Sequence, residues 1–99
     1  MKSKSYAVDF TTCTDDQWKD ISAIIKERQV SILINNVGLC HENPIFFDEE
    51  DASLCDNIIK VNITTMMNLT RIVVPQMQEQ KNGLIINLGS FAAIRSLGF

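Results

Sequence analysis

The sequence is poor in the residue types that build metal sites, disulfide frameworks and membrane spans. It has one histidine and three cysteines (Cys13, Cys40 and Cys55), with no Cys-x-x-Cys pair. We therefore expect neither a metal site nor a disulfide framework. No apolar run approaches the roughly 18 residues of a membrane span, and the first residues are too polar for a signal peptide. We expect this segment to be soluble and not secreted.

Clustered positive charge is also missing. Nine Lys and Arg residues against twelve Asp and Glu residues give a formal net charge of −3, with both signs mixed along the chain. Nucleic acids and anionic membranes attract basic stripes, so the sequence predicts neither partner. Apolar residues make up 45% of the 99 residues, which is enough for one small domain with a thin core.

Three short apolar runs alternate with segments of helical periodicity. The runs are Tyr6–Phe10, Ser31–Asn35 and Leu84–Leu88. The last two lack polar alternation, which is typical of parallel strands covered on both faces. Strands that alternate with helices favour an α/β fold with a doubly wound parallel sheet. The sequence therefore predicts three parallel strands with helices between them.

Each predicted helix has a start signal. Thr14 and Gln17 form a capping-box pattern before a helix that we expect to reach about Arg28. Asp48 is predicted to cap the second helical segment, which continues as one long helix, or two nearly collinear ones, to about Gln80.

The second helical segment contains a proline, Pro75. A proline inside a helix removes one main-chain hydrogen bond and clashes with the preceding turn. The sequence therefore predicts a bend or an early end of the helix at this point.

Polar residues and a glycine stand at or just past the carboxyl ends of the predicted strands. They are Asp9, Asn35, Gly38 and Ser90. Ligands of open parallel sheets bind at this edge. Each residue alone has an ordinary explanation as a turn or cap residue. Their coincidence on all three strands favours a ligand site.

Four motifs in this order resemble the short-chain dehydrogenase/reductase family. Asn35-Asn36-Val37-Gly38 resembles that family's Asn-Asn-Ala-Gly signature, and Val61-Asn62 resembles its helix-borne catalytic asparagine. Ile86 to Ser90 resembles the strand that ends in the catalytic serine, and Val8-Asp9 resembles the strand-end aspartate at the adenine ring. Val37 in place of alanine, with Gly89-Ser90-Phe91, resembles the branch of very-long-chain 3-oxoacyl-CoA reductases and 17β-hydroxysteroid dehydrogenases.

The resemblance implies that residues 1–99 are the central part of one NAD(P)-binding Rossmann-type domain, without a second domain. It implies reduction of a lipid-like ketone with NADP(H) at the endoplasmic reticulum, with Ser90 and Asn62 catalytic. Asp9, Asn35 and Gly38 would contact the cofactor. The choices between acyl-CoA and steroid, and between NADPH and NADH, stay open.

Two parts of the family pattern are missing from this chain. They are the glycine-rich turn that binds pyrophosphate and the Tyr-x-x-x-Lys pair that delivers the proton. We therefore expect no tight cofactor binding and no turnover by this chain. In the family strand order, Ser31–Asn35 and Leu84–Leu88 are neighbours. Tyr6–Phe10 has no native neighbour here, which predicts a displaced or non-natively paired segment.

Three functional hypotheses follow. The first is a fragment of an active ketone reductase. The second is a non-catalytic protein that docks on a full-length relative, or pairs with a second copy, through the helix at 51–80, with Met66, Met67 and Val74 as contact candidates. The third is an unrelated small α/β binding domain.

Overall fold

A computed structural model describes residues 3–40, 46–49 and 51–89. Three α-helices and two strands form its main elements. In chain order these are α1 (Asp15–Lys26), β1 (Ile32–Asn35), α2 (Ala52–Ile59), α3 (Thr65–Gln80) and β2 (Leu84–Asn87). A short 3₁₀ turn at Phe47–Glu49 precedes α2, and a π-helical turn at Lys60–Thr64 joins α2 to α3.

The two strands form a parallel sheet. Ile32 lies opposite Leu84, and Asn35 lies opposite Asn87. The amide of Leu84 donates to the Ser31 carbonyl at 2.8 Å, and the amide of Leu88 donates to the Asn35 carbonyl at 3.1 Å. The predicted pairing of these two apolar runs is therefore confirmed, and the fold is a partial Rossmann-like α/β fold.

The strand predicted at Tyr6–Phe10 does not form, whereas the expectation that this segment is displaced for want of a neighbouring strand is confirmed. This segment runs beside α1, where the Tyr6 hydroxyl donates to the Asp20 carboxylate at 3.1 Å. The rings of Phe10 and Trp18 lie with centroids 5.5 Å apart. A strand needs a neighbour for its main-chain hydrogen bonds. The sheet of the described residues contains only β1 and β2, so these apolar side chains pack on a helix instead.

The start of α1 agrees with its sequence signal. The Gln17 amide donates to the Thr14 hydroxyl at 3.2 Å, and the Thr14 amide donates to the Gln17 side-chain oxygen at 3.0 Å. The predicted capping box is confirmed, although α1 ends at Lys26, two residues before Arg28.

The second helical segment starts later than predicted. Asp51, and not Asp48, caps α2, because its carboxylate accepts the Ser53 amide at 3.0 Å. Asp48 instead lies in the separate 3₁₀ turn. At the other end, α3 continues through Pro75 to Gln80, so the predicted end is confirmed and an early termination at the proline is wrong.

The core lies between α1, the helical segment and one face of the sheet. Its buried apolar side chains among the described residues are Ile21, Val61, Val73 and Met77. The opposite sheet face is uncovered: Ile32, Ile34 and Leu88 are each 56% exposed. Parallel sheets of complete domains are covered on both faces. The described fold is thus one half of such an arrangement.

The side chain of Gln76, on α3, forms hydrogen bonds to the end of α1 and to the loop before β1. Its side-chain oxygen accepts the Val30 amide at 3.1 Å, and its side-chain nitrogen donates to the Ile25 carbonyl at 3.4 Å. The same nitrogen donates to the Arg28 carbonyl. One side chain therefore bonds to three main-chain groups, of which the Ile25 carbonyl also accepts from the Arg28 amide at 3.2 Å.

We expect Gln76→Ala to lower the free energy of unfolding by about 1–3 kcal/mol, because it leaves the Val30 amide and the Arg28 carbonyl without this partner. Urea denaturation followed by circular dichroism measures the change. Gln78→Ala, an exposed position on the same helix, is the matched control and should stay within about 0.5 kcal/mol. Equal losses in both variants would contradict this role.

Gly83 leaves room for the Met77 side chain. A Cβ at Gly83 would lie 2.6 Å from Cγ and Sδ of Met77 and 2.7 Å from its Cβ. Because Met77 is buried and two of these atoms lie near its backbone, we expect Gly83→Ala to destabilise the chain by about 1–3 kcal/mol. Gly38→Ala is the control, since its nearest neighbour would be 3.9 Å away. An unchanged urea midpoint for Gly83→Ala would contradict the packing argument.

Candidate functional site

Asn62 lies in the π-helical turn between α2 and α3. In this turn the Lys60 carbonyl accepts from the Thr65 amide, five residues later, instead of four as in an α-helix. The Thr65 hydroxyl donates to the same carbonyl at 3.0 Å. π-helical turns inside α-helices occur frequently at functional sites. The widened turn is consistent with the predicted role of the Asn62 backbone in holding the helix open, although that role stays a prediction.

The side chain of Asn62 ties this turn to the loop after β1. Its nitrogen donates to the Leu39 carbonyl at 2.9 Å, and its oxygen accepts the Leu39 amide at 2.7 Å. Both functional groups of the amide are therefore engaged by one residue. This pair of bonds fixes the distance between the strand-end loop and the helix.

Asn35 is a cross-strand residue at the end of β1. It is 8% exposed, and its side-chain nitrogen donates to the Asn87 side-chain oxygen at 2.8 Å. Its own oxygen is buried and has no hydrogen-bond partner among the described residues. The side chain thus joins the carboxyl ends of β1 and β2. Its predicted contact with the cofactor ribose stays a prediction.

Gly38 borders an open space beside Asn62. A Cβ at position 38 would meet only the Asn62 side-chain oxygen, at 3.9 Å, which is an ordinary contact. Nothing in the described part of the chain therefore requires a glycine here. The room beside this loop is compatible with the close approach of a cofactor that the sequence predicts.

Asp9 does not stand at a strand end, because residues 6–10 form no strand. Its carboxylate accepts from the Thr11 hydroxyl at 2.7 Å and from the Thr11 amide at 2.9 Å. These two bonds hold the pKa of Asp9 below its usual value, the hydroxyl contributing most. The Asp9 turn is linked to the π-helical turn, since the Lys60 ammonium donates to the Thr11 carbonyl at 3.0 Å. The predicted adenine contact stays a prediction.

Ser90, the second predicted catalytic residue, lies outside the described residues. Its position in the sequence is three residues beyond the end of β2, whose last residue Asn87 pairs with Asn35. The structure therefore brings Asn35, Gly38 and Asn62 together and leaves Asp9 on a linked loop.

Sequence reasoning missed three participants in this arrangement. They are Asn87, Thr65 and Lys60, which make the contacts described above. The contact of Asn87 with Asn35 could have been predicted from the sequence. Aligning the two apolar runs in parallel register places their terminal asparagines opposite each other. The other two had none, because their partners depend on the unusual turn.

The described residues contain no group of three or more His, Cys, Asp or Glu side chains that could hold a metal ion. No helix in ranges 3–40, 46–49 and 51–89 is long and apolar enough to cross a membrane.

Comparison with known proteins places this geometry in a family. The profile of the family described as short chain dehydrogenase matches residues 2–98. The very-long-chain 3-oxoacyl-CoA reductase of Mycosarcoma maydis is 33% identical over 92 residues, which are 93% of this chain and 26% of that protein. The reductase of the same name from Neurospora crassa is 36% identical over 93 residues, covering 94% of this chain and 28% of that protein.

A solved structure supports the fold. The short-chain dehydrogenase from Sphingobium yanoikuyae in complex with NADPH has a TM-score of 0.74 and 24% identity, and the match covers 90% of this chain and 34% of that chain. The chain therefore spans about a quarter of the curated relatives and about a third of this structure. With its family profile matched from residue 2 to residue 98, this chain belongs to the short chain dehydrogenase family.

Proposed function

We propose that this chain is the central part of one nucleotide-binding domain of an NAD(P)H-dependent reductase, acting on the ketone of a lipid-like substrate. The substrate class is a 3-oxoacyl-CoA or a 17-ketosteroid. The observation that carries the proposal is the bond pair between Asn62 and Leu39, because it joins the strand-end loop to a π-helical turn. We expect the 99-residue chain by itself to have no reductase activity.

The cofactor is NADP(H), and it would supply the hydride. Asn35 and Gly38 would hold its adenosine ribose side, and Asp9 would accept a hydrogen bond from its adenine. The space beside Gly38 supports this assignment, since only Asn62 lies within contact distance of an added Cβ. The glycine-rich turn that would bind the pyrophosphate is missing from the sequence, so this chain does not bind the cofactor tightly.

Proton delivery and substrate orientation are divided between this chain and the missing part of the domain. Ser90 would hydrogen-bond the substrate carbonyl, and the Asn62 backbone would hold the widened turn around a water of the proton relay. The general acid would be the tyrosine of the Tyr-x-x-x-Lys pair, which this sequence lacks. Its only tyrosine, Tyr6, bonds to Asp20 beside α1. General acid catalysis is typically worth about 10²–10⁴-fold in rate, so turnover by this chain is not expected.

The proposed substrate class rests on the names of the relatives from Mycosarcoma maydis and Neurospora crassa, both very-long-chain 3-oxoacyl-CoA reductases. The proposed location of the complete protein is the endoplasmic reticulum, by the same resemblance.

A chimera tests the proposal. Residues 2–98 replace the matched segment of the Mycosarcoma maydis reductase, and NADPH oxidation is followed with a 3-oxoacyl-CoA and with a 17-ketosteroid. We expect the chimera to reduce one of the two, whereas the 99-residue chain reduces neither. Ser90→Ala in the chimera should lower kcat by about 10²–10³-fold, because the developing charge on the carbonyl oxygen loses a hydrogen-bond donor.

Ser53→Ala is the matched control, since it removes an exposed hydroxyl near the start of α2. It should leave kcat unchanged. A chimera that binds NADPH and has native circular dichroism, yet reduces neither substrate, would contradict the proposed function. A similar kcat for Ser90→Ala and Ser53→Ala would remove Ser90 from the mechanism.

A second candidate function is non-catalytic docking on a full-length relative through the helix at 51–80. An open groove of about 590 Å³ on α3 favours it, because Met66, Met67 and Val74 line this groove together with Asn87 at the sheet edge. Met67 is 53% exposed. An apolar groove on a helix that already packs on its own sheet is typical of an interaction surface.

Co-expression with a tagged full-length relative tests the docking. We expect Met67→Glu to reduce co-purification at least tenfold, since a carboxylate in an apolar interface is desolvated without a partner. Ile63→Glu, 50% exposed but outside the groove, is the matched control. No co-purification of the unchanged chain, or equal effects of both variants, would reject this candidate.

A further inference from the structure

A small cleft lies between the end of β1 and the helical segment. Its volume is about 50 Å³, and its polar lining residues are Asn35, Asn62 and Thr65. The rest of the lining is apolar, with Val61 and Leu69 on the helical side. One water molecule needs about 10–15 Å³ of such space and two to four polar partners. The cleft therefore has room for water and too little for a nucleotide or an acyl chain.

Asn35, which lines this cleft, carries an unsatisfied polar atom. The residue is 8% exposed, and its side-chain oxygen has no donor among the described residues. A buried acceptor without a donor is costly, and natural proteins satisfy such atoms with protein groups or ordered water. The side-chain nitrogen is already used, because it donates to Asn87 at 2.8 Å.

Rotating the amides does not remove the deficit. If both Asn35 and Asn87 exchanged oxygen and nitrogen, their mutual bond would persist with its direction reversed. Asn35 would then bury an unpartnered nitrogen instead of an unpartnered oxygen. The cleft needs a molecule that can serve either atom, and water both donates and accepts.

A second polar group of the cleft, the Thr65 hydroxyl, can accept a hydrogen bond. Thr65 is 2% exposed and uses its hydroxyl hydrogen on the Lys60 carbonyl, so its oxygen can still accept. The two ends of the Asn62 amide are engaged by Leu39. A partner in this cleft has to donate a hydrogen to the Asn35 oxygen and can donate a second one to the Thr65 hydroxyl oxygen, which a metal cation cannot do.

We propose that this cleft holds an ordered water molecule that donates one hydrogen bond to the Asn35 side-chain oxygen and one to the Thr65 hydroxyl oxygen. The water bridges the carboxyl end of β1 and the π-helical turn. It acts in parallel with the direct bonds between Asn62 and Leu39, and it does not depend on the proposed reductase function.

Magnetic resonance of the ¹³C,¹⁵N-labelled 99-residue chain tests the proposal. Cross-relaxation between water and the methyl groups of Val61, Thr65 and Leu69 is measured in the laboratory and rotating frames. We expect cross-peaks of opposite sign in the two experiments, as for a water that stays bound for longer than the chain tumbles. A folded chain with dispersed methyl signals but without these cross-peaks would overturn the proposal. Collapsed methyl signals without cross-peaks would also overturn it, because the chain would then lack an ordered cleft.

Two variants separate the water from the bond between the strands. Asn35→Leu removes the acceptor, fills the cleft and should abolish the cross-peaks. Asn87→Ala removes only the bond to Asn35 and should retain them. Cross-peaks that persist in Asn35→Leu would overturn the assignment of the water to Asn35.

Discussion

The two hydrogen bonds between the Asn62 amide and the main chain of Leu39 are the contact on which the rest of the site depends. They join elements 23 residues apart in sequence and hold the loop after β1 against the helical segment. Because both ends of the amide bond to this loop, the role proposed for Asn62 toward a ligand is that of its backbone. The widened turn gives that backbone a geometry that a regular helix lacks.

The helices of this chain cover only one face of the parallel sheet. Right-handed crossovers place connections between successive parallel strands on a constant side when the strand order advances in one direction. The opposite face keeps Ile32, Ile34 and Leu84 more than half exposed, so the helices of the described residues leave it without a cover. The proposed chemistry is divided as well, since the residues proposed for the ribose and the substrate carbonyl lie in this sequence and the Tyr-x-x-x-Lys pair does not.

Local signals in the sequence were sufficient where structure depends on near neighbours. The Thr14–Gln17 capping box and the two paired strands are of this kind, because caps and apolar runs act within a few residues. Tyr6–Phe10 has the composition of a strand, but strand formation also requires a neighbouring strand, and the family strand order indicates that this segment has no native neighbour here.

Contacts between distant residues could not be predicted in the same way. Asp48 and Asp51 are both acceptable caps, and only the extra 3₁₀ turn decides between them. The Gln76 side chain reaches main-chain groups 46 to 51 residues earlier, and no pattern near Gln76 indicates this. The family resemblance indicated which residues to examine at the site, whereas the Asn35–Asn87 bridge required the register of the sheet.

The register of the sheet also has a consequence for biosynthesis. Asn35 and Asn87 are 52 residues apart, and the length-dependent part of closing a loop of that size costs about 3.5 kcal/mol. At about 5–20 residues per second, a ribosome takes about 3–10 s to make β2 after β1. Throughout that time β1 is an apolar strand without its partner in this chain, so this interval is when a nascent-chain chaperone has most to protect.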